Sequence, residues 1–183
     1  MSSITVNNLV FDEYLSAENI AEIVGLVAER INTDYAGKEP LFICVLNGAF
    51  MYASDLLKKI TLPAEITFVR LKSYEGTATT GDVKMLNPLA VNVEGKDVIV
   101  VEDIVDTGRT LKEVVAILKE RNPLSLQVVT LLDKPERRKM PIKADYVGTT
   151  VPDEFIVGYG LDFGEKYRNL PFIGVLKREV YEK

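Results

Sequence analysis

Three carboxylates fall close together at Glu102, Asp103 and Asp106, in the stretch V-I-V-V-E-D-I-V-D-T-G-R-T. Four apolar residues, 98–101, run into the first two acids. The third acid opens a small polar turn made of Asp106, Thr107, Gly108, Arg109 and Thr110. The apolar run reads as a strand that delivers its acids to the carboxyl edge of a sheet, where open α/β sheets bind ligands. The turn leads into a helical pattern starting near Leu111. A helix N-terminus offers unpaired N–H groups and the positive end of a dipole, which suits a phosphate. Gly108 lets backbone come close to a ligand, and Thr107 and Thr110 add hydroxyl donors. A phosphate-binding turn joined to a set of carboxylates is the chemistry to be explained.

Much other chemistry is excluded by residue type. The 183-residue chain has no histidine and one cysteine, which removes Ser-His triads, Cys-His pairs and most zinc sites. Carboxylates, Lys, Arg, Tyr, backbone amides and a hard, oxygen-preferring metal such as Mg²⁺ remain. The apolar run ending in Glu-Asp has the look of a Walker B strand, but no G-x-x-x-x-G-K-[ST] occurs. No G-x-G-x-x-G occurs either, so a dinucleotide fold lacks its signature.

The net charge of −5 gives no global support to nucleic-acid binding through phosphates. At 47% hydrophobic and 27% charged residues, the chain is expected to fold as one globular domain over 1–183. Cys44 lies in the apolar run L-F-I-C-V-L and is expected to be a buried, inert thiol. The start M-S-S-I-T-V-N-N shows no signal peptide, and no apolar run approaches the ~20 residues of a membrane span. A reducing, cytoplasmic setting without membrane attachment is the expectation.

The elements that must position these acids are legible as an alternation. Ile20, Ile23, Val24, Val27 and Ile31 recur at helical spacing after Ser16, a good N-cap. Residues 41–46 form an apolar run of the kind buried on both faces of a sheet. Asn47-Gly48 breaks it, and a helical pattern runs to about Lys59. Residues 64–72 read as a strand and 73–86 as a long loop with two glycines and no apolar periodicity. Residues 98–101 and 126–132 are further strands, with a helix through Leu111, Val114, Val115 and Leu118 between them. Short strands are expected near Tyr146, at 155–157 and at 172–176. Alternating strands and helices predict right-handed βαβ units and a mostly parallel sheet.

The thirteen-residue stretch resembles the signature of type I phosphoribosyltransferases, which bind 5-phosphoribosyl-1-pyrophosphate. The resemblance implies a Rossmann-like α/β fold. A mostly parallel central sheet is flanked by helices, with a small hood from chain-terminal segments and a mobile lid loop. The lid would span about 73–86, and the hood would come mainly from the N-terminal residues and about 150–183. It further implies that Thr107, Gly108, Arg109 and Thr110 hold the 5′-phosphate. Glu102 and Asp103 would face the ribose diol, directly or through Mg²⁺, and Asp106 would sit under the base as the catalytic acid–base group.

Four further stretches resemble the hypoxanthine/guanine branch of that family, over nearly the whole chain. L-N-G-A after the first buried strand matches a pyrophosphate-binding loop, with Asn47 where many relatives have Lys, and Gly48 beside it. The matching peptide before Asn47 can be cis in the family. Ser73-Tyr74 matches the start of the lid. Lys134 matches a donor to the purine O6. F-I-V-G-Y-G-L-D supplies Phe155 to stack on the purine, Ile156 and Asp162 to read its edge, and the Asp162 carboxylate for a second Mg²⁺. Arg168 matches a pyrophosphate-binding arginine. The implied activity is Mg²⁺-dependent transfer of phosphoribosyl to a 6-oxopurine, hypoxanthine and guanine first, in a homodimer or homotetramer. Two alternatives share the fold: a xanthine-preferring phosphoribosyltransferase, and a regulator that senses the donor. The regulator would need a basic surface or an added helix-turn-helix, which the sequence lacks.

Overall fold

The computed structural model describes residues 3–6, 9–73, 83–85, 89, 91–177 and 180. In chain order the elements are β1 Ser3–Val6, β2 Leu9–Leu15, α1 Ala17–Asp34, β3 Leu41–Leu46, α2 Phe50–Leu57, β4 Glu65–Ser73 and β5 Val83–Met85. They continue as β6 Asp97–Val105, α3 Arg109–Lys119, β7 Ser125–Asp133, a 3₁₀ turn at Pro135–Arg137, β8 Tyr146–Thr150, β9 Ile156–Val157 and β10 Ile173–Leu176.

Six strands form the main sheet in the order β5-β4-β3-β6-β7-β8. The five from β4 to β8 are parallel, and β5 joins the edge antiparallel to β4. Burial on both faces explains the unbroken apolar run of β3. Phe42 and Cys44 pack with α1 and α2, through Ile20, Val24, Tyr52 and Leu56. Leu41, Ile43 and Val45 pack on the other face with Leu111, Val114 and Leu118 of α3. Side chains alternate along a strand, so a strand covered on both sides needs an apolar residue at every position. Ser16 caps α1, its Oγ accepting from the Asn19 N–H at 3.2 Å.

A second sheet, β1-β2-β10-β9, joins the two ends of the described chain. It closes over its own cluster of Phe11, Val157, Leu170, Phe172 and Leu176. This is the hood, and β9 carries Ile156 into it.

Several boundaries differ from expectation. β6 continues to Val105, because β7 pairs beside it as far as Asp133; Glu102 and Asp103 therefore lie within the strand, not past its end. α3 begins at Arg109, so Thr110 belongs to its first turn. α2 ends at Leu57, two residues short of the expected end. The segment expected to be a loop over 73–86 contains a strand: Val83–Met85 pairs with Leu71, Lys72 and Ser73. Residues 74–82, and with them Tyr74 of the expected lid, lie outside the described residues, so the expected mobility of that loop does too. Among the described residues, no helix is long and apolar enough to cross a membrane.

Candidate active site

The phosphate turn is shaped by Gly108 and pinned by Arg138. Gly108 caps α3 with φ +81°, and a Cβ there would meet Ile142 Cγ2 at 2.8 Å. Only glycine satisfies both demands. Gly108 offers no side chain to cap α3 and no acid occupies the first turn; the Arg109 N–H donates to Thr107 Oγ1 at a long 3.4 Å, a bond an anion at the helix start can replace. The carbonyls of the turn are taken from behind. Arg138 donates through Nε to the Asp106 carbonyl at 3.0 Å and through Nη2 to the Val105 carbonyl at 3.0 Å. It also donates to the Ile142 carbonyl at 2.6 Å and pairs with Asp133. The Thr107 carbonyl accepts from the Lys139 and Met140 N–H groups at 3.0 and 3.1 Å.

Beside the turn stand Glu102, buried, and Asp103, half-buried. Burial pushes the Glu102 carboxyl well above the ordinary range, and the Asp103 charge pushes it further. Burial also raises Asp103, opposed by the Ile104 N–H that donates to its Oδ1 at 2.8 Å and by the Arg168 charge. The same burial, with the two acids close by, lifts the Cys44 thiol to about 12, which makes it inert as expected.

Glycines bring the remaining segments against this pair. A Cβ on Gly48 would stand 1.8 Å from Asp103 Oδ2, and one on Gly160 would stand 2.0 Å from the Gly48 carbonyl oxygen. The backbone at 160 therefore lies on the backbone at 48, which lies on Asp103. The Leu46–Asn47 peptide is cis.

Lys134 is buried, and its Nζ donates to the Glu154 carbonyl at 2.5 Å. Burial lowers its pKa, and the Asp106 charge works against that shift. Phe155 is partly exposed and meets the edge of Phe163 at 5.8 Å. Ile156 pairs with Val175 in the hood sheet. Asp162 is engaged within its own loop: Oδ1 pairs with Arg168 at 3.0 Å, and Oδ2 accepts from the Glu165 N–H at 2.9 Å. Arg168 also donates to the Gly160 carbonyl at 2.9 Å.

A cavity of about 330 Å³ gathers Gly48, Glu102, Asp103, Asp106, Thr107, Gly108 and Thr110 on its walls. Lys134, Phe155, Ile156, Asp162 and Arg168 are not on that wall, nor is the exposed Arg109 side chain; Arg168 lines a separate cavity with Phe50, and Ile156 is buried in the core. Asn47 precedes the wall residue Gly48. Ser73 ends β4 at the sheet edge. Two further residues meet this site with little sign of it in the sequence. Arg137 approaches Asp106, its Nε 3.0 Å from Oδ1, and Arg138 clamps the turn. Their only sequence signal is a basic pair three and four residues after Lys134.

Two adjacent acids whose carboxyls are raised by burial, Glu102 also by the Asp103 charge, are a fit for a divalent cation. Mg²⁺ takes one or two protein carboxylates and completes its shell with substrate oxygens and water. Among the described residues no group of three or more acids, Cys or His is placed to hold a metal ion.

A parallel α/β sheet with an open phosphate turn, an adjacent acid pair and a hood defines the class of type I phosphoribosyltransferases. The chain belongs to the phosphoribosyl transferase domain family, whose description matches residues 10–164. It is 48% identical over 169 residues to the hypoxanthine-guanine phosphoribosyltransferase of Streptococcus thermophilus, covering 92% of this chain and 94% of that one. It is 44% identical over 180 residues to the bifunctional protein TilS/HprT of Listeria monocytogenes, where it covers 98% of this chain but spans 28% of that protein. The crystal structure of a hypoxanthine phosphoribosyltransferase from Staphylococcus aureus superposes with a TM-score of 0.90 at 46% identity, covering 94% of each chain.

Proposed function

We propose that this chain transfers phosphoribosyl from 5-phosphoribosyl-1-pyrophosphate to N9 of hypoxanthine, and also of guanine, in purine salvage. The products are the nucleotide and pyrophosphate. One observation carries the reading: the turn at 106–110 and the acid pair Glu102 and Asp103 line a single cavity, and Asp106 on its wall lies near enough to Lys134 for its charge to act on it. The relatives named above support the same base class and give no support to a xanthine-preferring enzyme or to a regulator.

In this reading the first-turn amides of α3 with Thr107 and Thr110 hold the 5′-phosphate, and Glu102 and Asp103 accept from the ribose hydroxyls. Breaking the C1′–oxygen bond leaves positive charge on the ribose and negative charge on pyrophosphate. The backbone amides at 47–49 and the Arg168 guanidinium stabilise the leaving group. Glu102 and Asp103, and at a second position Asp162, would hold Mg²⁺, which would supply charge neutralisation for the leaving group. Asp106 accepts the N7 proton as N9 bonds to C1′. Lys134 donates to O6, Phe155 stacks on the ring, and the backbone at Ile156 and Asp162 meets the base edge. A lid starting at Ser73 and Tyr74 excludes water from the cation-like state. A lone buried cysteine agrees with a cytoplasmic setting, and assembly as a homodimer or homotetramer rests on the family resemblance.

The test is an assay with donor, Mg²⁺ and each of hypoxanthine, guanine, xanthine, adenine and uracil, detecting pyrophosphate. Release with the first two bases is expected. Release with none of the 6-oxopurines overturns the reading.

A further inference from the structure

Arg137 is the residue at this edge whose placement the proposed chemistry does not yet use. It ends the 3₁₀ turn that follows Lys134, and its side chain is 47% exposed. Its Nε lies 3.0 Å from Asp106 Oδ1, and its Nη1 lies 3.4 Å from Asp153 Oδ1. Asp106 Oδ1 is fully covered and makes no aligned hydrogen bond, so the contact is an ion pair. Yet the Asp106 side chain as a whole is 38% exposed. The two carboxylate oxygens are therefore in different surroundings. Oδ1 is sealed with the guanidinium beside it, and the exposed surface of the side chain lies on its other atoms.

The second arm matters as much. Asp153 stands two residues before Phe155, and its neighbour Glu154 gives its carbonyl to Lys134. One guanidinium thus links the segment after β6, the turn after β7 and the loop entering β9. Those three segments carry Asp106, Lys134 and Phe155. Two other cations near Asp106 have separate duties: Arg138 reaches its backbone carbonyl, not its carboxylate, and Lys134 donates to the Glu154 carbonyl and is the residue assigned above to the base.

We propose that Arg137 is a positioning residue for the base: it holds Oδ1 of Asp106 so that Oδ2 faces the purine, and ties Asp106 through Asp153 to the loop bearing Phe155. This rests on the phosphoribosyl-transfer reading above. A carboxylate turned by one fixed cation presents a single acceptor in one direction, which is what proton removal from N7 requires. The pair itself adds little to stability, because exposed ion pairs are weak in water. Its effect belongs in the turnover of the base.

The experiment compares the unsubstituted chain with Arg137→Gln, Arg137→Lys, Asp106→Asn and the Arg137→Gln/Asp106→Asn double variant. It reads kcat and KM for hypoxanthine, donor Kd and Tm. Arg137→Gln is expected to lower kcat/KM for hypoxanthine about tenfold, the scale of one charge-assisted contact, with donor Kd and Tm nearly unchanged. Arg137→Lys recovers part of the loss, since an ammonium can pair with Asp106 but cannot fork to Asp153. In the Asp106→Asn background, Arg137→Gln adds less than about twofold, because its partner is already gone. Full kcat/KM in Arg137→Gln, or losses that multiply in the double variant, overturns the role of Arg137 while leaving the transferase reading intact. An unsubstituted chain that makes no nucleotide from any 6-oxopurine overturns both.

Discussion

Asp103 lies directly against Gly48: a side-chain carbon at position 48 would stand 1.8 Å from Asp103 Oδ2. The contact joins the loop after β3 to the acid pair in β6, two segments more than fifty residues apart that share one cavity. Gly48→Ala forces Asp103 to swing or the loop to withdraw. The expected outcome is a loss of donor affinity in Mg²⁺ of at least about tenfold, with an overpacking cost of about 1–3 kcal/mol in stability. Calorimetric titration with donor and thermal unfolding check it; an unchanged donor Kd would show that the contact is not needed.

Asp106→Asn tests the proton acceptor. An amide of the same shape cannot take the N7 proton. We expect kcat with hypoxanthine to fall about 10²-fold or more, while donor Kd changes little because the α3 amides and the Thr107 and Thr110 hydroxyls remain. Lost donor affinity with intact kcat would move Asp106 to the phosphate or the metal.

Lys134→Met tests base choice. The Lys134 ammonium is buried and spends one donor on the Glu154 carbonyl, leaving others to meet a 6-oxo group. Against adenine those donors face an amino group and go unpaired. Selection for hypoxanthine over adenine should fall by about 10²-fold or more, read as the ratio of the two kcat/KM values. Undiminished rejection of adenine at full activity rules out this role.

Asp103→Asn tests the cost of holding a buried acid pair. Burial raises the Asp103 carboxyl to about 6, above the value of about 4 expected unfolded. Between those values the folded chain keeps a proton that the unfolded chain has lost, so this group's contribution to stability declines as pH rises through that window. Asparagine does not titrate. In metal-free protein, the Tm of Asp103→Asn relative to the unsubstituted chain should therefore be higher at about pH 7.5 than at about pH 5. Donor binding in Mg²⁺ should weaken in the same variant. A Tm difference that ignores pH would contradict the assignment.

The local pieces of this site were readable because they are encoded within a few residues. The apolar strand through 98–101, the left-handed turn at Gly108 and the Ser16 cap each depend on neighbours in sequence, and each is present in the structure. The error at the end of β6 has a nonlocal cause. A strand ends where its partner stops pairing, and β7 runs on to Asp133. The strand Val83–Met85 was hidden for the same reason, since only its pairing with β4 makes it a strand.

By itself, then, the sequence determined the alternating α/β order, the glycine turn at 106–110, the acids near it and the family resemblance. All follow from side-chain periodicity and turn chemistry acting over short distances. Only the tertiary structure decided that Gly160 presses on Gly48 and Gly48 on Asp103, that Arg138 draws back the carbonyls of the turn, and that Arg137 bridges Asp106 and Asp153. Those contacts join segments that meet through sheet order. Long, flexible arginine side chains and bare glycine backbones carry no mark in sequence of the partner they will touch.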